Sequence, residues 1–196
     1  SYLFPVPYDW YTQYKIRRYG AHGTSHQYVN KRAAELMGKD EKTMNMITCH
    51  LGNGASITAI RDGKCINTSM GLTPLGGIMM GTRSGDMDPA IIEFLANKEN
   101  LSIKEVTNIL NKKSGVYGLS SYLSSDFRDI EDGYFANEEV AVRAMKAFCY
   151  RVAKYIGSYV AAMNGVDVIC FTAGVGENGP IVRSLVCEYL GYLGIT

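Results

Sequence analysis

The chain has 196 residues, 46% of them hydrophobic and 20% charged, with a formal net charge of +1. That length allows one large domain or two small ones, and the balance is that of an ordinary globular protein. The near-neutral charge gives no argument for a nucleic-acid or anionic-membrane partner, no apolar run approaches the roughly 18 residues a bilayer crossing needs, and no secretory signal is visible.

The first sixteen residues, aromatic and proline-containing, read as an irregular lead-in. Residues 17–23 (RRYGAHG) read as a short strand entering a loop. Thr24 or Ser25 then caps a helix that runs to Met37, with Gly38 as its stop. Residues 44–51 form a buried strand, Gly52-Asn53-Gly54 a turn, and residues 55–69 a hairpin across Asp62-Gly63. A Gly-rich loop fills 70–89, and connections of that length in a compact domain are functional or disordered. Helices are expected near 89–97 and 102–112, the second with Ser102 and Glu105 as a capping box. Residues 114–133 read as a second loop-rich stretch.

Asn137 starts the longest helix, in which Ala141, Met145, Phe148, Val152, Ile156, Val160 and Met163 recur at helical spacing, and Gly165 ends it. Residues 166–172 form a strand, followed by a Gly-rich turn and a last helix opened by Pro180. The order of elements predicts an α/β layered domain. Five scattered cysteines without a C-x-x-C pair fit reduced thiols in a cytoplasm. Glycine reaches 21 residues, and its clustering suggests backbone brought close to a ligand.

Four of these loops can carry chemistry. Gly174-Val175-Gly176-Glu177-Asn178-Gly179 lies between strand and helix, where amide groups make an anion site. It satisfies G-x-G-x-x-G, which keeps an NAD-dependent oxidoreductase of Rossmann type open beside a plain tight turn. In His50-Leu51-Gly52-Asn53-Gly54 the glycines let phosphate approach, although an Asn-Gly hairpin turn explains the same residues. Arg83 can offer its planar fork to a phosphoryl group or pair with Asp86 or Asp88. Asp126, Phe127 and Arg128 suit a nucleoside, or alternatively cap a helix and fill the core.

His22 and His26 sit four residues apart in YGAHGTSH. Zinc would need further ligands. His50 is the one remaining histidine, and Cys49 beside it points to the other face of a strand. His26 is placed to pack or cap in the first helical turn, and His22 to meet a ligand. Together these parts suit phosphoryl transfer, which asks for positioning and charge neutralisation.

The segments RRYGAHGTSH, HLGNGAS, GTRSGDMDP, SSDFRDIEDG and FTAGVGENG, with the lead-in LFPVPYDWYTQY, resemble the acetate kinase family in identity and order. The resemblance covers essentially the whole chain. It implies a ribonuclease H-like α/β domain, a mixed sheet flanked by helices, of the superfamily of sugar kinases, heat-shock ATPases and actin. It implies reversible transfer of the ATP γ-phosphoryl to acetate, giving acetyl phosphate and ADP, with Mg2+.

His22 and Arg83 would stabilise the transferring group. His50, Leu51, Gly52, Asn53 and Gly54 would contact phosphates, and Asp126, Phe127, Arg128, Gly174, Val175, Gly176, Glu177 and Asn178 would bind the nucleotide. No metal ligand is expected within the chain. Residues 1–38 would join the N-terminal domain side and 39–196 would form an incomplete nucleotide-binding domain. A chain that starts after the family's catalytic Asp is expected to bind nucleotide and turn over hardly at all. Propionate or butyrate kinase, and a non-catalytic nucleotide-binding regulator, share these expectations in part. The family is homodimeric. Ala21 replaces an aromatic residue common there, which would loosen the acetate pocket.

Overall fold

A computed structural model describes residues 2–195. Its first helix, α1 (Tyr8–Tyr14), stands where the lead-in reads as irregular. Pro7 lies just ahead of it, where a missing N–H costs nothing, and Lys15 closes it in the left-handed region. No strand forms over residues 17–22. Helix α2 (Gly23–Leu36) begins two residues earlier than a Thr24 cap would allow. His22 is its N-cap, at φ +62°, and makes no side-chain cap bond.

The strands β1 (Asn45–Leu51), β2 (Ala55–Arg61) and β3 (Lys64–Thr68) form an antiparallel meander. Asp62 and Gly63 make its second turn, both at positive φ, as an Asp-Gly hairpin requires. The Gly-rich segment between β3 and α3 (Ala90–Lys98) is ordered: Met70, Ile78, Met79 and Met80 are buried in the core. Its amides also bond outward, Gly81 to the Asn53 carbonyl and Ser84 to that of Leu110. Helix α4 (Ile103–Lys112) carries the reciprocal Ser102–Glu105 capping box.

The stretch expected to be loop-rich contains two helices, α5 (Gly115–Leu119) and α6 (Phe127–Phe135). Asp126 caps α6, and Phe127, Ile130 and Gly133 turn a buried face inward. Helix α7 (Glu139–Met163) starts two residues later than expected, because Asn137 is left-handed and Glu138 takes the N-cap. The expected stripe is buried throughout, and each large apolar side chain in it contributes about 1.5–3 kcal/mol. Asn164, at φ +57°, is the cap that ends α7, one residue before Gly165.

Strand β4 (Val168–Thr172) pairs in parallel with β1, giving the sheet order β3-β2-β1-β4. As an edge strand it is half-buried along its length. The G-x-G-x-x-G run is not an open turn: its first five residues lie within a six-residue helix, α8 (Ala173–Asn178). Helix α9 (Pro180–Glu188) follows with Pro at its first position.

The sheet separates two unlike environments. Ile47, Cys49 and Leu51 of β1, with Ala55, Ile57 and Ala59 of β2, face the main core built on α7. The alternate residues Thr48, His50, Ser56 and Thr58 face the side covered by α2. A mixed sheet begun by an antiparallel meander is not a doubly wound parallel sheet, so the Rossmann reading fails on topology. No described helix is long and apolar enough to cross a membrane.

Candidate active site

The three histidines meet on the α2 side of the sheet. The rings of His22 and His50 stack, with centroids 3.9 Å apart and planes 16° apart. Ser56 Oγ lies 2.7 Å from both His22 Nδ1 and His26 Nε2. His26 Nδ1 lies 2.6 Å from Thr48 Oγ1, and His50 Nδ1 lies 2.8 Å from Ser25 Oγ. Each ring is thus fixed by a hydroxyl, two of them on the polar face of the strands.

Burial holds all three imidazoles below the usual histidine range. His26 is pushed down to about 4, chiefly by burial and then by His50 and His22. His22 is lowered by burial, His50 and Arg83, and His50 by burial against an opposing pull from Glu177. All three are neutral at pH 7, which is what two rings stacked at van der Waals distance require.

Arg83 is available for an anion. Among the described residues its guanidinium has only a 3.5 Å contact to the Pro74 carbonyl and a 3.6 Å contact to Met80 Sδ. Neither expected acidic partner reaches it. Asp86 accepts the Gly77 amide and the Tyr155 hydroxyl, and Asp88 accepts the Ala90 amide at the start of α3. Gly54 marks where Arg83 and His22 converge: a Cβ there would lie 3.2 Å from Arg83 Nη1 and 3.9 Å from His22 Nε2.

One residue before Gly54, Asn53 opens onto a cleft of about 610 Å3. That cleft brings together Gly52, Asn53, Asp126, Phe127, Arg128, Gly174, Val175 and Asn178, contributed by separate parts of the chain. His50, Leu51, Gly54, Gly176 and Glu177 do not line it. Leu51 is fully buried in the core, so only its backbone can serve the site. Gly176 packs against the Phe171 backbone, where a Cβ would lie 3.3 Å from the Phe171 carbonyl carbon. Glu177 accepts from Thr172 Oγ1 and the Ala173 amide, which ties down the start of α8.

Phe127 is 8% exposed and meets Phe148 edge to face, so most of its ring belongs to the core. Asp126 grips Arg128 through its Nε and Nη2 groups, the closest contact 2.6 Å, and also caps α6. Those bonds pull its carboxyl down to about 2. The pair is a fixed ionic edge on the cleft.

Ser25, Thr48 and Ser56 were not among the residues expected at the site. For Thr48 and Ser56 the signal was period two, polar residues alternating with apolar ones along β1 and β2; Ser25, in α2, carried none. Ser125, Glu131 and Val182, which also line the cleft, carried none. Ala21 lines a different cavity, of about 570 Å3, between α2 and the β2–β3 hairpin. Among the described residues, no three His, Cys, Asp or Glu side chains gather as a metal cage.

An antiparallel meander extended in parallel by β4, with helices on both faces and a cleft at the loops, defines a layered α/β domain built on a mixed sheet. A family model for the acetokinase family matches residues 1–196. The chain belongs to that family. It is 62% identical to an acetate kinase from Pseudothermotoga lettingae and 60% identical to one from Thermotoga maritima, in each case over 100% of this chain and 48% of the relative. The chain therefore spans about half the length of the curated relatives it matches. The crystal structure of Porphyromonas gingivalis acetate kinase superposes with a TM-score of 0.95 at 49% identity, covering 98% of this chain and 48% of that one. A Francisella tularensis propionate kinase gives 0.93 at 42% identity, covering 98% and 49%.

Proposed function

We propose that the protein containing this chain is an acetate kinase, moving a phosphoryl group between ATP and acetate. The observation that carries this reading is the convergence of Arg83 Nη1 and His22 Nε2 at Gly54, beside the Asn53 cleft. The nucleotide lies in the cleft, with Asn53 and the backbone of Gly52 and Gly54 toward its phosphates and the Asp126–Arg128 edge toward its sugar. A carboxylate oxygen of acetate attacks the γ-phosphorus, a new P–O bond forms, and the bond to the β-phosphate oxygen breaks to release ADP.

Charge spreads over the equatorial oxygens in that transition state, and fixed donors there lower the barrier most. Arg83 supplies the fork and His22 a neutral donor. Mg2+ travels with nucleotide phosphates and keeps several waters, and it is assigned no ligand among these residues. The curated relatives at about 60% identity are acetate kinases, which supports acetate as the acceptor.

Because the chain is half the length of its relatives, we propose that alone it binds ADP and ATP and turns over acetate hardly at all. Residues 1–38 are assigned to the side that meets the other half, in keeping with α1, which buries none of its residues. Five free cysteines and exposed apolar side chains such as Phe94 support a cytoplasmic homodimer.

Calorimetry with Mg-ADP on the chain, beside an Asn53→Ala variant, and an acetyl phosphate assay on the longer protein test the reading. Binding weakened by Asn53→Ala, with turnover abolished by His22→Ala and Arg83→Ala, is expected. A longer protein that binds nucleotide without making acetyl phosphate would leave the regulator reading instead.

A further inference from the structure

We propose that Thr48, His26 and Ser56 form a one-way hydrogen-bond chain that fixes His22 as the tautomer with its proton on Nε2, so that Thr48 and Ser56 are positioning residues for the phosphoryl-facing donor. The role of that donor rests on the kinase reading above. The direction of the chain rests on geometry.

The hydrogen bonds begin at a buried end. Thr48 is fully buried, and among the described residues its hydroxyl has one side-chain partner, His26 Nδ1 at 2.6 Å. A buried hydroxyl whose proton has no acceptor is strongly disfavoured, so Thr48 donates and His26 Nδ1 accepts. A neutral imidazole that accepts at Nδ1 carries its proton on Nε2. That N–H points at Ser56 Oγ, 2.7 Å away. Ser56 has one proton to give and two places to send it. His22 Nδ1 is at 2.7 Å and the Ala21 carbonyl at 3.4 Å, so the short contact takes it. His22 then accepts at Nδ1 and holds its proton on Nε2, the nitrogen that faces Gly54, where Arg83 Nη1 also converges.

The groups around the chain are compatible with this order. His50 stacks on His22, but its own Nδ1 is engaged by Ser25, outside the chain. Arg83, which converges with His22 at Gly54, disfavours a second proton on the ring. Reversing every bond would aim an Nε2 lone pair at phosphoryl oxygens and leave the Thr48 proton without an acceptor. His22 lies in the left-handed region with no cap bond of its own, so its ring is held mainly by Ser56 and the His50 stack.

The test is a two-bond 15N–1H correlation spectrum of the chain with labelled imidazoles, recorded near neutral pH. Only three histidines need assignment, by single His→Gln variants. Pyridine-type Nδ1 and pyrrole-type Nε2 shifts are expected for both His26 and His22. Ser56→Ala should turn the His22 signals into those of a tautomer mixture, and Ser56→Thr should restore them. Thr48→Val should release His26 first and His22 through it, which keeps the test available if Ser56→Ala does not fold.

In the longer protein, Ser56→Ala should lower kcat about 10- to 100-fold with the nucleotide KM nearly unchanged, as expected for a misaligned transition-state donor. A proton on Nδ1 of His22 in the unaltered chain, or an unchanged His22 spectrum in both Ser56→Ala and Thr48→Val, overturns the proposal. Intact tautomers in a longer protein that transfers no phosphoryl group would overturn the kinase reading and leave the chain's direction standing.

Discussion

Gly81 has no room for a side chain because of Asn53: a Cβ there would lie 2.0 Å from Asn53 Oδ1, and the Gly81 amide donates to the Asn53 carbonyl at 3.1 Å. The loop that carries Arg83 is thereby latched to the turn expected to hold phosphate. Gly81 does not sit at positive φ, so its backbone conformation suits alanine; the Asn53 side chain must move aside and the Ser125 carbonyl, 3.3 Å from such a Cβ, must give by a few tenths of an ångström. Gly81→Ala should fold, with Tm lowered by a few degrees at most, and should bind Mg-ADP about tenfold more weakly, the equivalent of one lost hydrogen bond. Calorimetry on the two proteins checks this. An unchanged affinity would detach Asn53 from the nucleotide.

Arg83 has no ion pair among the described residues. Its removal therefore leaves no buried charge behind, and stability should hardly change. In the longer protein, Arg83→Ala should reduce kcat by about 10³-fold while nucleotide affinity stays within about threefold. Arg83→Lys should restore little of this, because a point charge lacks the planar fork. Steady-state kinetics beside Mg-ADP titration separates the two effects.

For Phe127, stability is the informative measurement. Its ring lies 4.6 Å from that of Phe148 and is largely buried. Phe127→Ala should cost about 3–5 kcal/mol, the usual range for emptying an aromatic site in a core. Urea unfolding reads this directly. A ring that served only to stack on a base would leave the unfolding midpoint where it was.

Acid should weaken the fold through His26. Its folded pKa is depressed to about 4 from 6.5, mainly by burial. Above 6.5 neither state binds the proton and the contribution is complete. As pH falls the unfolded state binds it first, so stability declines, and the loss levels off below about pH 4. The full span is on the order of 3 kcal/mol. Burial of His22 and His50 acts in the same direction. His26→Gln should flatten this part of the stability profile, measured by denaturant unfolding at several pH values.

The elements readable from the chain alone were those whose signals are local. The β2–β3 hairpin lies where Asp62-Gly63 puts it, the Ser102–Glu105 box opens α4, and the apolar stripe of α7 is buried in full. These follow from turn chemistry, cap spacing and period, each complete within a few residues. The five loop motifs were likewise visible in order, and with them the family. Local signals failed where tertiary packing overrode them. Pro7 and the two glycines of α8 read as breaks or loops, yet each belongs to or adjoins a helix, whereas Asp126 caps α6 and Phe127 enters the core, as one of the two readings of that stretch has it. Only the folded structure decides that β4 lies beside β1 and that Ser56 stands between His22 and His26. Period two places Thr48 and His50 on one strand face, but it does not say what covers that face. Burial of that face under α2 brings the histidines together, and a contact across 30 or more residues leaves no trace in local propensity.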